Sequence, residues 1–382
     1  MEVVSGNAAK TRDRREQFDL IVVGAGPAGS SAAITAARAG VDVLLLERGR
    51  FPRQRVCGEF VSAESLELLA GLLGTRAPAL IDNAPRISHA RLFAEGRIIR
   101  SSVLPAAASI ARYDIDLALW NAAHDAGVRT LAQTTVDRIE GEGPFHIQTS
   151  SGEFSSTALI NSTGRWSNLT RPGALPYDRS GARWLGTKAH FLEPDPAHSV
   201  DLYFFEGGYC GVQPVRLSSQ PGEPCRINVC AMVRSHVALN LEEVLAQHPA
   251  LIERSRRWQP LMEPVSTSPL IFREPTPVWN GVLFAGDSAG FVDPFIGDGI
   301  SLALRSGASA AQSLIPFLQG QITRAHAGRQ YVHDYRHRLM PIFRNSQRLR
   351  RLFELPRNLR KPLAYFFEHT PALTSFLVSK TR

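Results

Sequence analysis

Residues 18–29 read Phe-Asp-Leu-Ile-Val-Val-Gly-Ala-Gly-Pro-Ala-Gly, and the order of these residue types decides the fold. Phe18 to Val23 is a short branched apolar run suited to a strand buried on both faces. Ser30 to Ala39 is alanine-rich and helical, and Gly40 stops it. Val41 to Leu46 forms a second strand that ends in Glu47. A diphosphate bound at a helix start needs main-chain N–H groups that it can approach closely. Gly24 permits the tight turn, Gly26 lets the chain touch the pyrophosphate, and Gly29 lets the helix pack on the strand. Pro27 falls in the first helical turn, where its missing N–H costs little, and Ala28 completes the motif. Glu47 stands where a carboxylate accepts bonds from ribose hydroxyls. An acid at this position argues against a 2′-phosphate, and Arg48 beside it is expected to lie over the adenine.

A second stretch, Gly286-Asp287-Ser288-Ala289-Gly290-Phe291-Val292-Asp293-Pro294-Phe295-Ile296-Gly297-Asp298-Gly299-Ile300, follows another buried strand, Gly281 to Ala285. The strand delivers Asp287 to a turn, where its carboxylate can hold a polyol hydroxyl. Gly297 and Gly299 bring free amides to the start of a helix running from Ile300 to Leu318. The positive end of that helix suits negative charge on a reduced ring.

Between these motifs, Ser62–Leu73 and Tyr113–Ala126 read as helices, and Phe145–Thr149 and Glu153–Ile160 as strands. From Trp184 to Val233 the pattern alternates between turns, with strands at Lys188–Leu192, Val200–Phe205, Tyr209–Val215 and Arg226–Val233. That predicts an antiparallel sheet. The expected architecture is α/β. A discontinuous Rossmann-type domain (17–80, 106–175, 272–325) carries an inserted antiparallel substrate sheet (81–105, 176–271). A basic tail (1–16) precedes them and a helical region (326–382) follows.

The chain has 382 residues, 44% apolar and 20% charged, with a net charge of +8. No run approaches the ~20 apolar residues that cross a bilayer. The cations are scattered and no nucleic-acid module is present, so nucleic acid is not an expected partner. Cys57, Cys210, Cys225 and Cys230 include no C-x-x-C pair, which argues against a zinc or iron–sulfur centre and fits reduced thiols in the cytoplasm. His333 and His337 have helical metal spacing but no H-E-x-x-H context, so no metal is expected. Arg336 to Arg360 is densely basic, and Leu349, Leu352, Phe353, Leu355, Phe366 and Phe367 give this end an amphipathic character. It reads either as solvated surface helices or as a peripheral membrane contact.

Taken together, the two glycine motifs resemble those of the FAD-dependent oxidoreductases that include geranylgeranyl reductases, aromatic-ring monooxygenases and flavin-dependent halogenases. The resemblance covers nearly the whole chain to about residue 320. It implies FAD, with Glu47 on the adenosine ribose and Asp287, after Gly286, on the ribityl or pyrophosphate region. Pro294, Gly297 and Gly299 would line the isoalloxazine, with Asp298 and Ile300 in the same run. Ile110 to Leu117 resembles the helix entry whose arginine contacts the cofactor, which assigns that role to Arg112. Val136 lies where the family holds adenine with main-chain groups.

Arg55-Val56-Cys57-Gly58-Glu59-Phe60 resembles the cysteine–glycine element that the reductase branch sets beside the reactive flavin edge. Cys57, with Arg53 and Arg55 nearby, is expected to have a lowered pKa and to position substrate or supply a proton; the alternative is packing under the ring. Glu59 is either a general acid in a dry pocket or an ion-pair partner of Arg55, itself counted on the cofactor side. Trp166 and Trp184 lack the halogenase W-x-W-x-I-P setting. Asn161-Ser162-Thr163-Gly164 lacks the aspartate of the monooxygenase Asp-Gly pair. Tyr209 to Pro214 occupies the place of the reductase sheet motif with few of its aromatics. The expected activity is hydride transfer from reduced flavin to a C=C bond of an apolar organic substrate, with NAD(P)H or another reductant as donor. The alternatives are a monooxygenase and a non-catalytic flavin module.

Overall fold

The computed structural model describes residues 16–165, 169, 183–217, 223–353 and 355–370. Most of the basic tail and Trp166 lie outside them. Strand Glu16–Val23 takes parallel partners on both sides, Val43–Leu46 and Gly152–Asn161. Leu20 sits opposite both Val43 and Ala158. Both faces are covered, so Leu20–Val23 are uniformly buried, as a continuous apolar run requires. Arg129–Leu131 and Val282–Phe284 extend the sheet in parallel at either side. The ribbon Val136–Glu140 and Phe145–Thr149 attaches antiparallel to the end of Gly152–Asn161.

Leu20 and Val22 join a core with helices Pro27–Arg38 and Gly299–Leu318, whereas Ile21 and Val23 face the ribbon with Phe145 and Ile147. The two helices touch main chain to main chain. A Cβ on Gly307 would fall 2.0 Å from the Ala28 carbonyl oxygen, so only glycine allows this crossing.

The second sheet is mostly antiparallel, and its strands come from distant segments. Trp184–Glu193, Cys225–Arg234, Gly208–Arg216 and Ser199–Phe205 pair in that spatial order. Arg86–Ala94 then joins parallel to Ser199–Phe205, and Arg97–Ser109 returns antiparallel to it. The edge is finished by Phe60–Val61, which pairs with Ala108 and Ser109. This short pairing ties the 51–60 loop, which follows the first glycine unit, to the inserted sheet. Three helices end the described chain: Arg324–Arg338, Met340–Phe353 and Arg357–His369. The last packs against Arg97–Ser109.

Candidate active site

The three glycines of the first motif have different surroundings. Gly24 adopts φ +97°, and a Cβ there would lie 2.5 Å from the Ser162 carbonyl oxygen. A Cβ on Gly29 would lie 1.8 Å from the Gly24 oxygen. Both positions are filled by protein. Above Gly26 the nearest atom within reach is Arg112 Nη2, 3.8 Å from a Cβ position. No side chain caps the helix that starts at Pro27, so its first amides remain available to an anion.

Three arginines converge on this opening. Arg112 forks onto buried Asp116, donating at 2.7 and 2.8 Å. Arg53 contacts Glu47, reaches Asp116 at 3.4 Å, and reaches the Ala25 carbonyl at 3.4 Å. Arg55 stands 4.0 Å from Glu47. Three cations face two carboxylates, and this excess of one positive charge suits a diphosphate. Glu47 accepts from the amides of Ala25 (2.9 Å) and Gly49 (2.7 Å). Burial would raise its pKa, but Arg53 and these amides outweigh burial and hold the carboxyl below its usual range. Thr134 N donates to the Glu47 carbonyl, which brings the segment before Val136 against Glu47, while Val136 itself is buried. Arg48 is exposed at the rim.

The second motif meets the first from the far side of the sheet crossover. Gly286 (φ +62°) donates its N–H to Ser306 Oγ, and Asp287, a third exposed, lies 3.7 Å from Arg165. Gly297 is left-handed at φ +75°, and its Cβ position lies 3.0 Å from the Phe60 ring. A Cβ on Gly299 would meet nothing within 4 Å, so the helix start is open. Ile300 is buried behind it. Asp298 precedes this start and is 1% exposed. It accepts from Ser62 Oγ at 2.9 Å, and Ser62 in turn bonds Ser301 at 2.7 Å. Its other oxygen, Oδ2, has no hydrogen-bond partner among the described residues. Burial pushes its pKa up to about 6, against the opposing bonds of Ser62 and Ser301.

Between the two motifs lies a closed polar cluster. Glu59 is fully buried at φ +60°, a left-handed conformation that costs a non-glycine residue of order 1 kcal/mol or more. Its side chain accepts from Arg112 N at 2.8 Å, meets His190 Nε2 at 2.7 Å, and takes a short contact from Lys188 Nζ. Lys188 also donates to Gln54 Oε1 at 3.0 Å. Gln213 Nε2 donates to the Glu59 carbonyl and to Ser109 Oγ, and Asn228 Nδ2 donates to the Cys57 carbonyl.

Both expectations for Glu59 are corrected by this geometry. Arg55 turns to Glu47, so it is not the partner of Glu59. Burial would raise the Glu59 pKa, but His190 and Lys188 outweigh it and keep the group ionised, which is the wrong state for an acid. The lowered pKa expected of Cys57 is reversed as well. Burial raises it, and the nearby Arg112 charge compensates only in part. The two arginines beside it in sequence already have carboxylates of their own.

Lys188, His190, Gln213 and Asn228 were not foreseen. Lys188 and His190 alternate on one face of a buried strand, and that interruption of an apolar pattern was the available signal. Asp116 and Arg53 were also passed over as site residues. Among the described residues no group of three or more His, Cys, Asp or Glu side chains can hold a metal.

From Gly58, Phe60, Pro294 and Gly297 a cavity of about 810 Å³ runs outward. Its walls include Leu92, Ile99, Leu202, Phe204 and Met232 from the inserted sheet, closed over by Leu349, Leu363 and Phe367 of the last helices. Polar groups line it as well, among them Glu95, Arg357 and Arg360. It is a mainly apolar space that reaches Gly297, two residues before the open helix start at Gly299.

The main-chain openings at Gly26 and Gly299, with the arginines between them, fit the diphosphate and ring of a flavin dinucleotide. The chain matches the family model described as FAD dependent oxidoreductase over residues 19–53. It is 26% identical over 361 residues to digeranylgeranylglycerophospholipid reductase 2 of Methanopyrus kandleri, covering 88% of this chain and 87% of that protein. It is 27% identical over 328 residues to the menaquinone reductase of Mycobacterium tuberculosis, covering 78% and 77%. The structure of a geranylgeranyl bacteriochlorophyll reductase-like protein of Thermoplasma acidophilum superposes with a TM-score of 0.74 at 19% identity, over 96% of each chain. The family match and these relatives support an FAD-dependent oxidoreductase enzyme, similar to reductases of the geranylgeranyl type and to menaquinone reductase.

Proposed function

We propose that the protein saturates a carbon–carbon double bond in an elongated apolar substrate, adding a hydride to one carbon and a proton to the other. The observation that carries this reading is the cavity of about 810 Å³, which starts at Gly58, Pro294 and Gly297 and is walled mainly by apolar side chains. FAD, when bound and reduced, supplies the hydride. Gly26, the Pro27 helix start, Arg53 and Arg112 would bind its diphosphate, and Glu47 would take the ribose. The open helix start at Gly299 would face the ring, whereas the Gly297 N–H, expected to be free, is donated to the Pro294 carbonyl at 3.0 Å. Phe60, Phe204 and Met232 exclude water from the reacting bond and hold a polyprenyl-like chain along the cavity.

The proton is assigned to Cys57. Its raised pKa keeps it a thiol at neutral pH, which is the state a proton donor needs. Glu59 N donates to its sulfur at 3.3 Å, and Asn228 holds its main-chain carbonyl at 3.1 Å, so the thiol and the backbone that carries it are each held by one bond. Lys188, His190 and Glu59 act as positioning residues for this loop. A nicotinamide, NADH or NADPH, or another two-electron reductant recharges the flavin. The similarity to reductases named for a digeranylgeranyl lipid and for menaquinone supports both the reaction type and the apolar substrate.

The test is anaerobic turnover of the reduced holoprotein with a geranylgeranyl lipid and, separately, with menaquinone. Flavin reoxidation without oxygen, and a product heavier by two hydrogens in mass spectrometry, is expected. Substrate-stimulated oxygen uptake with an oxygenated product would replace this reading with the monooxygenase one.

A further inference from the structure

The last two described helices each have an inner and an outer face. The inner faces line one cavity, through Leu349 and Arg350 of Met340–Phe353 and through Arg360, Leu363 and Phe367 of Arg357–His369. The outer faces therefore point away from it. On Met340–Phe353 the exposed positions include Arg344, Arg348 and Arg351, four and three residues apart, which makes one cationic stripe. On Arg357–His369 the exposed positions include Leu359, Pro362 and Phe366, three and four apart. Leu359 is 52% exposed, Phe366 48% and the adjoining Tyr365 52%. A helix buried through one apolar face that shows water a second one calls for an external partner.

Charge identifies the partner. Between residues 336 and 361 the sequence holds nine lysines and arginines and a single acid, Glu354. Lys361 is exposed beside the apolar stripe. Apolar side chains set among cations match the interface of an anionic bilayer, where the rings and leucines enter the acyl boundary and the cations meet phosphate. No described helix is long and apolar enough to cross a membrane, so the contact would be one of surface docking. The cavity also reaches the surface here. Arg357 lines it, pairs with Glu95 at 3.2 Å, and is 71% exposed. A second ionic contact, Arg97 to Glu368 at 2.5 Å, fastens the same helix to the sheet.

We propose that the outer faces of these two helices dock the protein on an anionic phospholipid bilayer, with the Arg357–Glu95 end of the cavity turned to the membrane. An apolar substrate then passes from lipid to cavity without crossing water. The docking claim stands on this surface alone and does not require the reaction proposed above.

Flotation of the FAD-loaded full-length protein with vesicles provides the test, comparing phosphatidylcholine alone with phosphatidylcholine mixed with phosphatidylglycerol. Binding is expected on the mixed vesicles, weakening at high salt. The triple variant R344E/R348E/R351E should lower it by about tenfold or more. The double variant L359S/F366S should lower it comparably, with the flavin absorbance and thermal midpoint of the wild type. Equal binding to neutral vesicles, no binding to either, or wild-type binding by both variants would overturn the proposal. So would a dimer in light scattering that L359S/F366S dissociates, because the apolar stripe would then belong to a second copy.

Discussion

Two charged clusters lie within one loop of each other and are built on opposite principles. Around Gly26, Arg53, Arg55 and Arg112 outnumber Glu47 and Asp116, and the space above the glycine is open. Around Glu59, the lysine, the histidine and one main-chain amide close on a single carboxylate, and the three side chains are all buried. The open cluster keeps a charge for something that arrives. The closed cluster compensates its charge internally and so holds a frame. Arg112 belongs to both, since its side chain faces the opening and its N–H binds Glu59. The opening at Gly26 and the shape of the Cys57 loop are thereby joined through one residue.

The largest effect expected is on the closed side. Lys188→Met removes the partner of a fully buried carboxylate and should cost about 3–5 kcal/mol of stability in chemical denaturation. Glu59 is depressed in the fold, so its contribution is full above its ordinary pKa of 4.5 and fades as pH falls through the lower folded value. The variant should therefore lose most at neutral pH and differ less from wild type in acid. A neutral-pH loss under about 1 kcal/mol would mean that the cluster is not closed.

Asp298 gives an intermediate effect with the opposite sign. Its folded pKa of about 6 stands above its ordinary 3.8, so ionisation costs stability progressively as pH rises through that window. Asp298→Asn should raise stability at pH 8 by up to about 3 kcal/mol, and much less at pH 4, in paired thermal melts without added cofactor. A gain that is the same at both pH values would assign it to something other than the carboxylate's charge.

The smallest effects sharpen the open side. Arg112→Lys loses the planar fork and should weaken FAD binding by roughly tenfold to a hundredfold in equilibrium titration. Arg55→Ala, at a half-exposed rim position, should change it by less than about tenfold. The reverse ranking would place the diphosphate outside the Gly26–Arg112 opening.

These contrasts also explain what could be read from the sequence. The strand, glycines, helix and Glu47 occupy one stretch of about thirty residues, so spacing along the chain stands in for spacing in the fold. Gly286 to Ile300 is equally local. The alternation after Trp184 announced an antiparallel sheet that also takes in 81–105, but not that Arg86–Ala94 would join Ser199–Phe205 in parallel, because that pairing joins segments about a hundred residues apart. For the same reason the partners of Glu59 were illegible. Lys188 and His190 lie 129 and 131 residues from it. Sequence proximity pointed instead to Arg55, four positions away, and that was the wrong arginine. The raised pKa of Cys57 was illegible for the same reason, since it comes from burial in the fold, and the arginines adjoining it in sequence face Glu47 and Asp116.

The central claim is that Cys57, held as a thiol next to Gly58 of the cavity wall, protonates a double bond that receives a hydride. Its most direct test is anaerobic stopped-flow reoxidation of the reduced holoprotein by a geranylgeranyl lipid, in wild type and Cys57→Ala. The account predicts reoxidation without oxygen in the wild type and a rate at least about a hundredfold lower in the variant, at unchanged FAD content. Equal rates in the two proteins, or a wild-type flavin that stays reduced until oxygen is admitted, would contradict it.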